Sequence, residues 1–258
     1  MSFSSSFTID IADSFPRLPK APIIEAMIYW KAPIGDTPTL PELTDELTRR
    51  LPNYPIVRSQ QNISISASFS ADGTSEIDHT AQPGLRLEDK NRHIAQVTPN
   101  SITLSRLEPY NRWEAFKAEA LDFWDIFAEL RKPDELQQVG VRYINRIPLN
   151  VGETPDTYLK FVNSEQEAIG LHRESFFYQD IYPIPNYPYS VKMVRTMQPQ
   201  PSIRGESKVL IIDIDVVATT LIQPNRETLI QKLNEMRWIK NQMFFNCISE
   251  TALESYKG

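Results

Sequence analysis

Two long helical patterns, each following a series of short strand patterns, constrain the fold of this chain more than any other feature. The first, NRWEAFKAEALDFWDIFAELRK, has Asn111 as its N-cap and repeats apolar residues at helical spacing from Phe116 to Leu130. The second starts at Asn225 and continues to Leu253. Alternating segments such as NISISASF are typical of antiparallel strands with one solvated face. The sequence therefore predicts an α+β fold in which long helices pack on antiparallel sheets.

The order of the elements predicts two pseudo-repeated halves, 21–132 and 133–258, after a partly ordered lead-in segment (1–20). Each half reads as a strand, a helix, several antiparallel strands and a helix, and we expect the two halves to form one structural unit. The short helices are predicted in TPTLPELTDELTRRL, with Thr39 and Glu42 as a capping box, and near TPDTYLKFVNSE. No residue-level repeat accompanies this order. In element order the half resembles the half-repeat of the TATA-box-binding protein fold, an analogy that carries no function.

Net charge, apolar run length and cysteine content restrict which partners and which cellular compartment we expect for this protein. The formal net charge of −6 does not favour a nucleic-acid partner, because such proteins normally carry a basic field. No run of 18 apolar residues is present, so we expect no membrane span. The only cysteine, Cys247, excludes a disulfide within the chain and is typical of a reducing compartment. The N-terminal residues lack the pattern of a secretion signal, so we predict a cytoplasmic protein.

The segment QVGVRYINRIPL places two arginines on one face of an apolar strand. With a period of two, Arg142 and Arg146 lie on the same face as Gly140, whereas Tyr143 lies on the other. A buried cation without a partner costs several kcal/mol. These arginines are therefore predicted either to meet carboxylates within the fold or to face an anionic ligand.

The segment KVLIIDIDVVA provides the matching carboxylates. Asp213 and Asp215 are two residues apart and therefore project from the same face of a very apolar strand. We expect them to pair with Arg142 and Arg146 on a neighbouring strand. The alternatives are a divalent cation held between the two carboxylates, or separate solvated charges.

Sequence motifs for catalysis are weak throughout. His79, His93 and His172 lack the spacing of metal ligands, and no phosphate-binding glycine loop or GxSxG motif occurs. The pairs Glu206/Lys208 and Glu88/Lys90 resemble the Asp/Glu-x-Lys element of magnesium nucleases, but such tripeptides arise often by chance in a charged chain. We therefore predict no catalytic residue, no metal site and no cofactor.

The segment IYPIPNYPYS combines three tyrosines with three prolines. Prolines restrict the backbone and tyrosines provide large amphipathic surface, a combination suited to contact with another protein. Tyr182, Tyr187 and Tyr189 are therefore candidates for partner binding. The alternative is a stiff loop folded onto its own domain.

Four segments together resemble an uncharacterised family of similar length that is distributed sporadically among bacteria and archaea. They are, in order, FPRLPKAPIIEAMI, LEPYNRWEAFKAEALDFW, GVRYINRI and LIIDID, and GVRYINRI is the most specific. The resemblance extends from Phe15 to the last helix, and it implies one full-length unit rather than a fusion. It supplies no catalytic residues. Its patchy distribution is typical of genes that travel with mobile or defence systems.

The sequence supports three hypotheses for function. The favoured one is a non-catalytic binding protein that acts through protein–protein contacts, as a toxin-neutralising or defence-system component, with a protein partner or as a homodimer. The first alternative is a sensor of a small anionic ligand or nucleotide, using a pocket between sheet and helices with Arg142 or Arg146 facing the anion. The second is a magnesium-dependent hydrolase or nuclease built on Asp213 and Asp215.

Overall fold

The computed structural model describes residues 7–33, 39–69, 75–110, 112–150, 152–160, 173–200 and 207–257. Nine strands and four α-helices lie within these residues, together with one 3-10 turn. The strands are β1 (Ile23–Lys31), β2 (Ile56–Phe69), β3 (Ser75–Glu88), β4 (His93–Thr98), β5 (Ser101–Leu107), β6 (Gln138–Leu149), β7 (Phe176–Pro183), β8 (Tyr189–Gln200) and β9 (Ser207–Ala218). The helices are α1 (Leu40–Arg50), α2 (Trp113–Arg131), α3 (Arg226–Cys247) and α4 (Glu250–Lys257), and the 3-10 turn is Pro155–Thr157.

All nine described strands form one antiparallel sheet, in the order β2-β3-β4-β5-β1-β6-β9-β8-β7. The neighbouring strands β1 and β6 lie near its centre, and each is the first strand of one predicted half. They pair directly, with Ile28 opposite Val141. The protein is therefore an α+β protein built on a single large antiparallel sheet, as the alternating strand patterns predicted.

Helices α2 and α3 pack on one face of this sheet. Residues that lie opposite one another in the ladder share a face, so Ile28, Val141 and Val216 form one apolar row across three strands. Trp30 lies on the same face of β1, is 1% exposed, and has its ring centroid 5.7 Å from that of Trp124 on α2. Burial of these large side chains contributes to the hydrophobic stabilisation between the layers.

Helix α1 begins with the predicted capping box. The backbone N–H of Thr39 donates to the Glu42 carboxylate at 2.8 Å, the reciprocal contact that defines this motif at a helix N-terminus. Leu43 and Leu47 form its buried stripe. The helix lies against β3 and α2.

Several predicted boundaries are wrong in detail. Helix α2 begins at Trp113 with Arg112 as the N-cap, one residue later than predicted from Asn111, which lies outside the described residues. The last helical pattern, predicted as one helix, forms two helices. The backbone adopts an extended conformation at Ile248, between the end of α3 and the start of α4. In TPDTYLKFVNSE the described part holds only the 3-10 turn.

The Tyr/Pro segment is the tip of the β-hairpin that joins β7 and β8. Tyr182 lies in β7 and Tyr189 begins β8, so only residues 184–188 connect the two strands. Asn186 has a positive φ of 65°, a conformation that asparagine tolerates better than most residues.

The described part of the lead-in segment, residues 7–20, lies against α3 and α4. The Phe7 ring packs edge-on against Trp238, with centroids 5.7 Å apart, and Phe15 stacks on Phe245 at 5.4 Å. The Lys20 N–H donates to the Tyr256 carbonyl at 3.1 Å. The lead-in segment therefore covers part of the helical layer.

In the part of the chain that the structure describes, no helix combines the length and the apolar character needed to cross a membrane.

Candidate functional site

The arginines and aspartates singled out in the sequence lie on the sheet face opposite α2 and α3. Arg142 Nε donates to Asp213 Oδ1 at 2.8 Å and Nη2 donates to Oδ2 at 2.5 Å, a bidentate ion pair between diagonal neighbours on β6 and β9. The Asp213 side chain is only 11% exposed and that of Arg142 is 34% exposed. The hydrogen bonds from Arg142 to Asp213 raise the pKa of the guanidinium, although burial opposes this. The pair therefore neutralises two charges that would be costly alone.

Asp215 has a different partner. Its carboxylate accepts a hydrogen bond of 2.8 Å from the Tyr29 hydroxyl, which reaches it from β1 across the intervening strand β6. The crossing requires Gly140, because a Cβ at that position would lie 2.1 Å from Tyr29 Cζ. Burial raises the pKa of Asp215, and the hydrogen bond from Tyr29 together with the charge of Arg142 opposes the rise.

Arg146 does not take part in this network. It is half-buried, and it lies opposite Ile211 in the β6–β9 ladder. Within the described residues its side chain has no hydrogen bond or ion pair. Of the two predicted partnerships, the structure therefore brings together Arg142 and Asp213, and no described carboxylate meets Arg146.

This arrangement does not favour a magnesium site on β9. Both oxygens of Asp213 accept hydrogen bonds from one guanidinium, and Asp215 is held by a phenol. In the described ranges, no group of three or more His, Cys, Asp or Glu side chains is placed to hold a metal. Glu206, His172 and the side chain of His79 lie outside the described residues, and Lys208 Nζ donates to the Arg173 carbonyl at 2.9 Å.

Two of the three predicted partner-binding tyrosines face inward. Tyr189 is 1% exposed and its hydroxyl donates to Glu235 on α3, so it is part of the core. The Tyr187 hydroxyl accepts a hydrogen bond of 3.1 Å from the Ile9 N–H of the lead-in segment. Tyr187 is half-buried, and Tyr182, at 41% exposure, is the most exposed member of the trio. The prolines shape a tight hairpin, and two of its three tyrosines pack onto the same chain.

A cavity of about 630 Å³, here called the basic cavity, lies between the helical layer and the sheet. This volume is within the range of roughly 300–1,000 Å³ usual for small-molecule sites. The wall is formed by the lead-in segment, the start of α2, the C-terminal half of α3 and the central strand β6. Phe15, Tyr110 and Tyr143, which come from three separate segments of the chain, all line the cavity.

The most unusual wall residue is Lys240 on α3. It is 8% exposed, and its Nζ lies 4.0 Å from the centroid of the Tyr143 ring. Within the described residues its amine has no carboxylate partner and no hydrogen bond. Burial, reinforced by the nearby charge of Arg237, lowers the pKa of Lys240 to about 7. An unpaired amine buried beside a cavity is a candidate binding group with a stated physical rationale.

The charges around the basic cavity are mostly positive. Arg17, Arg112 and Arg237 line it with Lys240, and Glu114 is the one acidic residue among the described residues of the wall. Glu114 is already shared between two cations, since it lies 2.7 Å from Lys117 Nζ and 3.7 Å from Arg237 Nη1. The cavity is therefore basic in a protein whose net charge is −6.

Uncharged polar side chains form the rest of the polar lining of the basic cavity. The hydroxyls of Tyr110 and Tyr143 are 2.8 Å apart, and burial raises the pKa of both phenols, so both stay protonated near neutral pH. Asn145 donates to the Ile212 carbonyl at 3.1 Å, which leaves its own side-chain oxygen available. Asn241 is also buried, next to Lys240 in sequence. The cavity thus offers cations, hydrogen-bonding groups and aromatic surface together.

In a second cavity, of about 750 Å³ beside Tyr54 and His93, the central carboxylate of Glu119 already has several partners. There Arg106 holds Glu119 through hydrogen bonds of 3.1 and 2.7 Å, and the Tyr54 hydroxyl donates to the same carboxylate at 2.7 Å. His93 Nδ1 lies 3.2 Å from that carboxylate as well. These groups satisfy one another, so this cavity is a weaker candidate for ligand binding.

Sequence reasoning missed the basic cavity, although two signals were present. The apolar stripe of α3 runs through Leu229, Leu233, Met236 and Phe244, and Lys240 occupies the stripe position between the last two. On β6, Asn145 interrupts the buried face of the strand in the same way. A polar residue at a buried position of an otherwise apolar pattern is the signal that could have found this site.

The fold and the site together define a mixed α+β protein with a basic cavity between a single antiparallel sheet and its helices. No family model and no curated protein matches the chain. Among solved structures it is matched to the crystal structure of the di-domain ARO/CYC StfQ from the steffimycin biosynthetic pathway, with 10% sequence identity over 91% of this chain and 98% of that chain, at a TM-score of 0.16. A likeness of that size supports no conclusion about function, so the function has to be inferred from the geometry of the site.

Proposed function

We propose that this protein binds a small organic anion in the basic cavity and acts as a binding protein or sensor. The observation that carries the proposal is the buried amine of Lys240, which has no carboxylate partner among the described residues and lines a cavity otherwise bordered by Arg17, Arg112 and Arg237. A ligand carboxylate or phosphate would supply the missing counter-charge. This is the anion-sensor hypothesis, with Lys240 in the role predicted for Arg142 or Arg146.

The other walls restrict the size and type of the anion. Trp113, Tyr143 and Phe244 offer aromatic surface, which favours a ligand with a planar or apolar portion over a bare inorganic ion. The volume of about 630 Å³ suits a single small molecule rather than a nucleic-acid strand. An acidic protein with a local basic cavity is well suited to selecting small anions over polyanions.

Replacing Lys240 by methionine should weaken the binding of such an anion roughly tenfold or more, because a charge-assisted hydrogen bond contributes about 1.5–3 kcal/mol. The measurement is isothermal titration of the purified protein with ligands chosen from a thermal-shift panel of nucleoside monophosphates and aromatic carboxylates. The matched control is Lys232→Met on the same helix, whose amine already has a carboxylate partner in Glu235 at 3.3 Å.

The pH dependence gives a second readout of the same binding. An anion raises the pKa of Lys240 from about 7, so binding takes up a proton, and affinity should fall as pH rises above 7, by up to about tenfold per pH unit. Other charged or titratable groups on the cavity wall are Arg17, Arg112, Glu114, Tyr110, Tyr143 and Arg237. If no panel member binds, or if Lys240→Met binds as tightly as the wild type, the proposal is wrong.

We also propose that the two halves are pseudo-repeats. The sheet order supports this, because β1 and β6 are neighbours and in each half the last strand pairs with the first while the earlier strands lie farther outward, as β5-β4-β3-β2 on one side and β9-β8-β7 on the other. Each half then has a long helix, α2 or α3, after its strands and on the same face of the sheet.

A second candidate function is protein contact through β7, the last strand on one side of the described sheet. Phe177 and Ile181 are 65% and 62% exposed, and both side chains lie on the face opposite α2 and α3. Two large apolar side chains exposed on one strand are typical of an interaction surface. The proposed occupant is a second copy of this chain, which is the homodimer expected from the sequence; a toxin or defence partner would be an alternative outcome.

Replacing Ile181 by lysine should convert a dimer into a monomer with little change in folding stability, because the side chain is already mostly exposed. The measurement is light scattering coupled to size-exclusion chromatography over a range of protein concentrations. Leu221→Lys, at a residue 58% exposed outside β7, is the matched control. A wild type that stays monomeric at every concentration would contradict self-association through this strand.

A further inference from the structure

Among the described residues, the amine of Lys240 has no carboxylate partner, unlike the amines of Lys117 and Lys232 in the same helical layer. Lys117 lies 2.7 Å from Glu114, and Lys232 lies 3.3 Å from Glu235. Lys240 instead faces the ring of Tyr143, with its Nζ 4.0 Å from the ring centroid. An aromatic face attracts a cation but accepts no conventional hydrogen bond from it, so the amine remains available to a ligand.

The environment also makes this amine easier to deprotonate than an exposed lysine. Lys240 is 8% exposed, and burial together with the charge of Arg237 lowers the pKa of the amine to about 7. Without a ligand, a substantial fraction of the amine therefore keeps its nitrogen lone pair at neutral pH. This neutral fraction is the one that can react with a ketone, whereas the protonated fraction pairs with a simple anion. Desolvation and a neighbouring cation are the two features that turn a lysine into a nucleophile toward carbonyl groups.

The rest of the cavity then limits which carbonyl compound would fit. Arg17 and Arg112 are exposed at the wall and suit a carboxylate. Trp113 and Phe244 provide aromatic surface for an apolar ring. In a 2-oxo acid the ketone carbon is bonded directly to the carboxylate, so a bound carboxylate holds the ketone beside it.

We infer that Lys240 forms an imine with the ketone of an aromatic 2-oxo acid held in the basic cavity. This inference rests on the proposed anion-binding function and names its ligand class. The nitrogen lone pair of Lys240 attacks the carbonyl carbon and a C–N bond forms. The carbonyl oxygen then leaves as water with both hydrogens of the neutral amine, so a C=N bond replaces the C=O bond and no oxidant or reductant is needed.

The hydrogen-bonded phenols next to the amine are suited to this step. Tyr110 and Tyr143 have hydroxyls 2.8 Å apart, and both are held protonated by burial. They can donate to the oxygen that becomes water, as positioned general acids do. Asn145 and Asn241, also in the wall, offer hydrogen bonds to the carboxylate.

The test is reductive trapping of the wild-type protein with phenylpyruvate and sodium borohydride, followed by intact mass and peptide mapping. Hydride reduces the imine to a stable secondary amine, so we expect one adduct per chain, on the peptide that contains Lys240. Phenyllactate, which has a hydroxyl in place of the ketone, should give no adduct and should suppress the adduct when it is added in excess. Lys240→Arg should lose the adduct, and Lys232→Met should keep it.

The outcomes separate this inference from the proposed function. Equal binding of phenyllactate and phenylpyruvate without an adduct overturns imine formation and leaves anion binding supported. An adduct spread over exposed lysines, or one that persists in Lys240→Arg, also overturns it. If neither phenylpyruvate nor phenyllactate binds, aromatic 2-oxo acids are the wrong ligand class. Whether the cavity binds anions at all is then tested by the thermal-shift panel of nucleoside monophosphates and aromatic carboxylates. Suppression by phenyllactate in the wild type is informative even if Lys240→Arg does not fold.

Discussion

Replacing Lys240 by methionine should raise the free energy of unfolding by about 2–4 kcal/mol near pH 6. One unit of pKa shift corresponds to about 1.4 kcal/mol, and burial lowers the pKa of this amine from 10.5 to about 7, so roughly 5 kcal/mol is the upper limit of the destabilisation. Methionine has a similar length and no charge, and it fits the apolar stripe of α3 that Lys240 interrupts. A group that costs stability at a buried position is typical of a functional site.

The sign of the pH dependence distinguishes this effect from simple packing. Between pH 7 and about 10.5 the unfolded chain binds one more proton at this lysine than the folded protein does, so wild-type stability should rise with pH across that window. Below pH 7 the destabilisation is fully present. In Lys240→Met this rise should be absent, and the two proteins should therefore converge at alkaline pH.

The measurement is urea denaturation of both proteins at several pH values between about 6 and 10. Lys232→Met serves as the control, because its amine is ion-paired and its removal should not change the slope of stability against pH. Parallel curves for the wild type and Lys240→Met would show that the amine is solvated in the folded protein. That result would also remove the main support for the basic cavity as an anion site.

Replacing Asp213 by leucine should lower the free energy of unfolding by about 2–3 kcal/mol. Removal of one partner of a buried ion pair typically costs roughly 3–5 kcal/mol, and the cost is smaller here because solvent reaches part of Arg142, whose side chain is 34% exposed. The neighbouring carboxylate of Asp215, held by Tyr29, also offers Arg142 partial compensation. Urea denaturation again provides the measurement.

The double variant Arg142→Met/Asp213→Leu should recover most of that loss, because neither charge of the pair remains on the sheet. Its single counterpart Arg142→Met should be destabilised comparably to Asp213→Leu. Additive effects of the two substitutions would contradict a coupled pair. Additive effects would mean that the coupling free energy between Arg142 and Asp213 is close to zero.

Local patterns predicted much of the fold, because apolar residues on a buried face recur with the period of the strand or helix that carries them. The alternation in QVGVRYINRIPL is visible in the structure, with Tyr143 buried and Arg142 half-exposed. The turn between α3 and α4 was missed because apolar residues continue through Ile248 without a glycine or proline. The bend depends on tertiary contacts, among them the Ser249 N–H bond to the Tyr158 carbonyl at 2.8 Å, which no local pattern reports.

The candidate site was harder to predict because its parts are distant in sequence. Lys240 and Tyr143 are almost a hundred positions apart, and only the packing of α3 on β6 brings them together. The pair Arg142–Asp213 could be anticipated because both residues lie on apolar strands where a charge needs a partner. For Tyr189 the sequence leaves partner binding and packing onto its own domain both open, since nothing in IYPIPNYPYS reveals that Glu235 lies beneath it.

If the basic cavity binds a ligand as proposed, the position of the lead-in segment would couple that binding to how firmly this segment docks on the helical layer. Phe15 both stacks on Phe245 and lines the basic cavity. The contact that would enclose a ligand is therefore also one that holds the lead-in segment on the helical layer. The two equilibria would then be linked. A ligand that binds better when the lead-in segment is docked would stabilise the docked segment, and a protein that binds the lead-in segment would change the affinity of the cavity for the ligand to the same extent. A partner outside the molecule could thus detect whether the cavity is filled.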